Sequence, residues 1–302
     1  MKPSVRRRHV LLAVAFLSLT GSGCDRKHNP LFSTPTTGVS SLNMSIVQID
    51  ASQAPNNRAF LSVRDGANSP LTDFKLGNFS LLENGRPGVP HEVGRVDDPF
   101  SLVLVIDRSG SMSGSNEIAA NNAASALVNT LGATDRMAIV EFASTINFSI
   151  SFTSNKSTLL SVLTTNRSNG GTALYDATAA GAKLLNTAPG RRLYIVLTDG
   201  VDTASLGTIT DAIDAVNKAG IRAYMVGLGS GVPAEVLNQI SSATNGQTYL
   251  SANGSDLTNI FLNIFATMQN LVYVAHRKRD EGGTLTVYLN YGDLTASATR
   301  PY

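Results

Sequence analysis

Three stretches of the chain are apolar at almost every position: Ser101–Ile106 (SLVLVI), Leu193–Leu197 (LYIVL) and Ala223–Leu228 (AYMVGL). Runs of that kind predict parallel strands buried on both faces. Between and after them the spacing changes. Leu257, Ile260, Phe261, Ile264, Phe265, Met268, Leu271 and Val272 recur at intervals of three and four, the stripe of an amphipathic helix. Strands alternating with helices over this region predict a doubly wound α/β domain, with a mostly parallel central sheet and helices on both faces.

The flanking regions follow another period. From Met44 to about Pro99, short alternating runs (Ser45–Asp50, Ala59–Val63, Phe79–Leu82) are punctuated by Asp65-Gly66, Asn84-Gly85 and Pro87-Gly88. That is the pattern of antiparallel hairpins. After Gly282-Gly283, Leu285, Val287 and Leu289 alternate with Thr284, Thr286 and Tyr288. Neither β segment is long enough for a stable core alone. They are expected to combine into one small antiparallel β-sandwich-like domain into which the α/β domain is inserted; an appended C-terminal hairpin is the alternative. The expected division is β segment 41–98, α/β domain 99–277 and C-terminal β segment 281–302.

Composition sharpens this picture at the N-terminus. The formal net charge of +2 suggests an anionic partner until the charges are located. Arg6, Arg7 and Arg8 precede an apolar stretch from Val10 to Leu19, then Gly21-Ser22-Gly23 and Cys24. This order reads as a secretory signal peptide, residues 1–23, too short in its apolar part to be a stable membrane span. Removing it takes four basic residues and no acid, so the balance moves from +2 to −2. Tryptophan is absent and aromatics are 6%, which leaves no case for a nucleic-acid platform. Cys24 is the chain's single cysteine, so no intrachain disulfide framework exists. A leader that ends on its cysteine resembles those of bacterial lipoproteins, although Gly21 stands where a leucine-like residue is usual. The resemblance implies acylation of Cys24 and a membrane anchor, periplasmic or surface-facing; a plain secreted protein with a leftover thiol is the alternative. Residues 24–40 are rich in Pro, Ser, Thr, Asn and Gly and read as a flexible tether.

The candidate chemistry sits at the ends of the buried strands. Asp107-Arg-Ser109-Gly-Ser111 follows the first, and Thr198-Asp199-Gly200 follows the second. Between them, Gly170-Gly171-Thr172 opens a helical segment. In an open α/β sheet, ligands bind outside the carboxyl ends of the strands. Three oxygen-bearing side chains at alternate positions on such a turn can converge on one hard cation. A strand-ending Asp with two N-capping serines is the bland alternative, but it leaves Thr172 and Asp199 unexplained.

In this order and placement, Asp107, Ser109, Ser111, Thr172 and Asp199 resemble the von Willebrand factor type A (vWA) domain and its metal-ion-dependent adhesion site. The resemblance covers about Pro99 to Ala275 and includes Gly227-Leu-Gly229 and Thr244–Tyr249. It implies a Rossmann-like fold and a bound Mg²⁺ or Mn²⁺. Ser109 and Ser111 would bind the ion directly, Thr172 directly or through water, and Asp107 and Asp199 through waters or hydrogen bonds. Few carboxylates in direct contact leave the ion with surplus positive charge, and it would then accept an Asp or Glu side chain from a protein partner. Asp176 is expected to be a structural hydrogen-bond partner; Asp202 could flank the site, but an Asp there is more often solvated or caps the next helix.

Enzyme classes fit less well. A haloacid-dehalogenase phosphatase needs a second Asp where Ser109 stands, and Gly110–Gly114 has Met112 where a serine-hydrolase elbow needs Ser. His28, His91 and His276 lie outside the α/β core, so no general base is at hand. The expectation is a non-enzymatic adhesion or envelope-assembly module. A metal-assisted hydrolase and a module merely braced by its metal are the other readings.

Overall fold

The computed structural model describes residues 38–51, 55–164, 168–186, 188–279 and 282–302. The expected leader, Cys24, His28 and most of the expected tether lie outside the described residues. Among those described, no helix is long and apolar enough to cross a membrane.

Eight strands form two antiparallel sheets. The first has the order β1 (Leu42–Asp50), β2 (Asn56–Asp65), β12 (Val272–Arg277), β5 (Pro90–Arg95). The second has the order β14 (Leu294–Pro301), β13 (Thr284–Tyr291), β3 (Phe79–Glu83), β4 (Arg86–Gly88). Alternate residues of both enclose one core, with Ile46, Leu61, Leu81, Val274, Val287 and Leu289 in it. The Asn84-Gly85 turn closes the β3–β4 hairpin with both residues at positive φ, 51° and 76°, as a two-residue hairpin loop requires. Pro87-Gly88, expected as a turn, instead lies in β4. That edge strand tolerates the missing proline N–H.

The remaining six strands build the α/β lobe, in the order β11 (Gln247–Ser251), β10 (Ala223–Leu228), β9 (Arg191–Thr198), β6 (Phe100–Asp107), β7 (Arg136–Phe142), β8 (Ile146–Thr153). All neighbours are parallel except β7 and β8. β6 is buried at every position and sits between β9 and β7. Its Leu102, Leu104 and Ile106 pack on α1 (Ser115–Thr130), α2 (Lys156–Val162) and α6 (Leu257–Thr267). Val103 and Val105 turn to the other face, with α3 (Leu174–Leu185), α4 (Ile209–Lys218) and α5 (Ala234–Ala243). The period-two alternation of a strand thus splits one apolar run between two helical layers. From β6 the chain winds outward through β7 and β8, then returns to β9 and winds the other way. The topological switch point lies between β6 and β9.

Two expectations are corrected. The helical stripe was read through Val272, but α6 ends at Thr267 and Asn270 takes φ 55°. A left-handed residue ends a helix while the apolar spacing runs on. Leu271 belongs to the α/β core and Val272 to the sandwich core, so the lobes part between adjacent residues. The α/β segment expected to reach 277 therefore stops at 271, because Val272–Arg277 forms β12 between β2 and β5. The C-terminal segment pairs with the N-terminal one, β13 against β3.

Candidate metal centre

Asp107 ends β6, and Asp199 follows the last residue of β9, one on each side of the switch point. Asp107 is fully buried. One of its carboxylate oxygens accepts from the Ser109 N–H at 2.7 Å and the other from the Thr198 hydroxyl at 2.5 Å. Burial pushes this carboxyl above its ordinary value, the Thr198 and Ser109 hydrogen bonds pull it back, and the Asp199 charge adds to the rise.

The hydroxyls form a chain. Ser111 Oγ donates to Asp199 Oδ1 at 2.7 Å, and Ser109 Oγ lies 3.1 Å from Ser111 Oγ. Asn116 Nδ2, in the first turn of α1, donates to the other Asp199 oxygen at 3.1 Å. Thr172 arrives from the loop before α3. A Cβ placed on Gly200 would stand 3.4 Å from Thr172 Oγ1 and 3.7 Å from Ser111 Oγ, so both oxygens border the same glycine. Asp107, Ser109 and Thr172 are buried, whereas Ser111 is exposed and Asp199 half-buried. The cluster opens to solvent on one side.

Hydrogen bonds join the three loops that carry it to one another and to the β7–β8 turn. Gly110 N donates to Gly170 O at 3.0 Å, Asn169 N to Arg108 O at 2.8 Å and Ala173 N to Ala143 O at 2.7 Å. Gly171 N donates to Ser144 Oγ, and Thr172 N to Thr203 Oγ1. Thr203 N and Ala204 N donate in turn to Thr172 O. Gly170 supplies the tight turn with φ +84°.

The five residues predicted from sequence are brought together. Asp176 is the hydrogen-bond partner it was expected to be: its carboxylate accepts from Leu206 N and Gly207 N at 2.8 and 2.9 Å. Asp202 does not cap the following helix, which Thr208 caps. It accepts from Tyr175 N, in the first turn of the preceding α3, and from Ser205 Oγ, because its loop folds back over that helix start.

Sequence reasoning missed the support beneath. Arg108, only 3% exposed, turns away from the oxygens and donates to Glu141 at 2.8 Å, Glu117 at 3.4 Å and Asn121 at 2.7 Å. Ser149 completes Glu141 at 2.5 Å. A signal was present: Glu141 interrupts an otherwise apolar buried strand, and buried charges are paired.

A divalent cation fits the donor set. Oxygens bound side by side on octahedral Mg²⁺ at about 2.0–2.1 Å stand about 2.9 Å apart, and the Ser109–Ser111 separation is 3.1 Å. Arg108, the basic residue within the motif, is committed below the oxygens. Among the described residues, no group of three or more His, Cys, Asp or Glu offers a rival metal cluster.

The family profile of the von Willebrand factor type A domain matches residues 101–263, just over half of the chain. A von Willebrand factor type A structure from Catenulispora acidiphila superimposes with a TM-score of 0.54 at 12% identity, covering 90% of this chain and 75% of that one. Proximal thread matrix protein 1 from the mussel byssus, in a structure with a zinc-occupied MIDAS motif, gives 0.51 at 19% identity. The match covers 63% of this chain and half the length of the mussel protein. Both are likenesses of fold. No curated protein sequence matches the chain. The sequence match over residues 101–263 and the switch-point architecture agree: the chain belongs to the von Willebrand factor type A domain family.

Proposed function

We propose that this protein is a divalent-cation-dependent binding module, in which Mg²⁺ or Mn²⁺ is held by Ser109, Ser111 and Thr172. Asp107 and Asp199 orient the hydroxyls and the ion's waters. The observation that carries the reading is the one-sided cluster: hydroxyl oxygens at ligand-to-ligand spacing, carboxylates behind and beside them, and solvent in front. Neutral oxygens leave a bound dication with charge to share. An Asp or Glu of a protein partner supplies it, and the surrounding loops set which partner. The zinc-occupied motif of the mussel protein supports a metal at this place in the fold. The module binds rather than catalyses. The two described histidines, His91 and His276, sit on or beside β5 and β12 of the sandwich, remote from the candidate ligands in the fold.

We also propose display at a bacterial cell envelope through acylated Cys24. That reading rests on the basic, apolar and small-residue order of the leader.

Calorimetric titration with Mg²⁺ or Mn²⁺ tests the centre. The wild type is expected to bind one ion, and the Ser109→Ala/Ser111→Ala variant to lose at least about 100-fold in affinity (~2.7 kcal/mol). Equal affinity in both sinks the assignment. An envelope partner retained in magnesium and released by EDTA fits the carboxylate socket, while retention in EDTA leaves the ion a brace only. Labelling with a palmitate analogue tests the anchor: label absent, or persisting in Cys24→Ser, removes it.

A further inference from the structure

At the opposite end of the α/β lobe, where it meets the sandwich, arginines gather whose hydrogen bonds run to backbone carbonyls. Arg222, just before β10, donates through Nη2 to Ile46 O. Arg300, on β14, reaches the same carbonyl at 3.4 Å and Ile221 O at 3.1 Å. Arg192, the second residue of β9, donates to Ala219 O at 2.7 Å, with longer bonds to Leu185 O and Ile49 O. Backbone carbonyls thus satisfy the geometry of these guanidiniums without neutralising their charge. Burial, with the nearby charges of Arg222 and Arg192, brings Arg300 down to about 9. Asp50 is the acid that bears on this group, and it acts on Arg192.

Beside Arg222 lies a crevice of about 210 Å³ between β1, β2 and the β10–β11 edge. Its polar lining is Ser45, Ser62, Arg64, Arg222, Gln247 and the Tyr224–Thr267 hydroxyl pair, with no Asp or Glu. Ser45 and Ser62 face each other as a directly registered cross-strand pair, and their hydroxyls make no hydrogen bond among the described residues. Arg222 Nε is buried without a partner. Arg64 uses one nitrogen, Nη1, for Asn68 O and keeps the rest of its fork.

We infer that this crevice is a binding site for a phosphate-type oxyanion, held between Arg64 and Arg222 with Ser45 and Ser62 donating to its oxygens. Two guanidiniums, each with one nitrogen already given to a carbonyl, and two uncommitted hydroxyls still offer donors of the right sign for a tetrahedral anion. A cation or an apolar ligand would meet uncompensated positive charge. The site is separate from the metal centre, so its test does not depend on that reading.

The full-length chain is titrated with inorganic phosphate in EDTA at constant ionic strength, and in a second arm mixed with phosphatidylglycerol vesicles. The EDTA keeps the metal centre out of the measurement. One saturable phosphate site is expected, weakened about tenfold or more in Arg222→Gln. Arg64→Gln and Ser62→Val leave the Ile46 carbonyl bonds untouched, so they guard against a folding defect and are expected to weaken binding several-fold. Vesicle capture lost in Arg64→Gln, without free-phosphate binding, supports the same pocket with a lipid phosphate as its source. Absence of binding in both arms, or binding that Arg64→Gln and Ser62→Val leave unchanged, overturns the inference.

Discussion

The two ends of the parallel sheet in the α/β lobe differ in chemistry: acids and hydroxyls dominate one, and arginines, with Asp135 and Asp98 among them, dominate the other. At the carboxyl ends of β6 and β9 stand Asp107, Thr198 and Asp199, joined by Ser109, Ser111 and Thr172, with oxygens facing oxygens. At the amino ends stand Arg136, Arg191, Arg192 and Arg222, at or next to the first residues of β7, β9 and β10. The difference follows from what each end has to meet. The amino ends rest on the sandwich, where the outer edge of β1 and the last carbonyls of α3 and α4 need donors. Arginine reaches these groups from the strand starts, Arg192 taking Leu185 O and Ala219 O at the two helix ends. The bonds also cover β1, which as an edge strand would otherwise present unpaired groups to another chain. The carboxyl ends meet solvent, and there the acceptors are left for something that is not part of the chain.

The contrast yields an ordered set of tests. The largest effect is expected beneath the oxygen cluster. Arg108→Met removes the buried positive charge that pairs with Glu141 and Glu117 and should cost about 3–5 kcal/mol in urea unfolding. A loss under 1 kcal/mol would show that the buried pairs are not what holds the metal loop. At the arginine end, Arg192→Gln gives up bonds to carbonyls rather than to carboxylates. The same measurement should read about 1–3 kcal/mol, the cost of buried acceptors left unmet. If Arg192→Gln proves more damaging than Arg108→Met, the asymmetry between the ends is misjudged.

A third polar interior sharpens the comparison, since it has neither end's solution. His276 of β12 is 1% exposed and faces Asn57 across the strand pair; neither side chain has a hydrogen-bond partner among the described residues. Burial holds His276 below its ordinary 6.5, with His91 acting the same way and Glu83 against. The unfolded chain therefore takes up a proton near 6.5 that the folded chain refuses until lower pH. Stability is complete above that value and declines as the pH falls from 6.5 toward the folded value. The slope from this one group is at most about 1.4 kcal/mol per pH unit. Denaturant melts at pH 7 and pH 5 should show a smaller loss in His276→Leu than in the wild type; an unchanged loss removes His276 as the cause. The smallest effect belongs to the rim of the oxygen end. Leu206 is 98% exposed on a loop pinned by Asp176, and Leu206→Ser should change stability by less than about 0.5 kcal/mol.

The legibility of these regions in the sequence differs for the same reasons. Asp107, Ser109, Ser111, Thr172 and Asp199 could be read because their types are unusual directly after buried strands and their order is informative. β6, β9 and β10 were visible as unbroken apolar runs. β7 was not, because Glu141 breaks its run, and β8 was passed over because its signal is of another kind, Ile146, Phe148, Ile150 and Phe152 alternating with Asn147, Ser149, Ser151 and Thr153 as in a one-face-exposed edge strand. β12 was missed because its first residue, Val272, prolongs with Leu271 a helical spacing although the two belong to different cores. The arginine end had no signal at all: an arginine whose partners are backbone carbonyls leaves no complementary residue in the sequence to find.

The boundary at Leu271 and Val272 has a consequence for how the two lobes are joined. The chain leaves the sandwich at the end of β5 and returns at the start of β12, and these strands are hydrogen-bonded neighbours with Arg95 opposite Val272. One step further out, Val96 N still donates to Leu271 O at 2.9 Å. The whole α/β lobe therefore occupies the place of the loop in a β-hairpin. A flexible loop of that length would carry a closure cost that grows with the logarithm of its size. A folded lobe whose two ends already lie side by side carries almost none. The lobe is nonetheless more than a loop, because Val47 of β1 and Phe60 of β2 are buried in its core, so the sandwich closes the lobe's exit and also borrows part of its own cover from it.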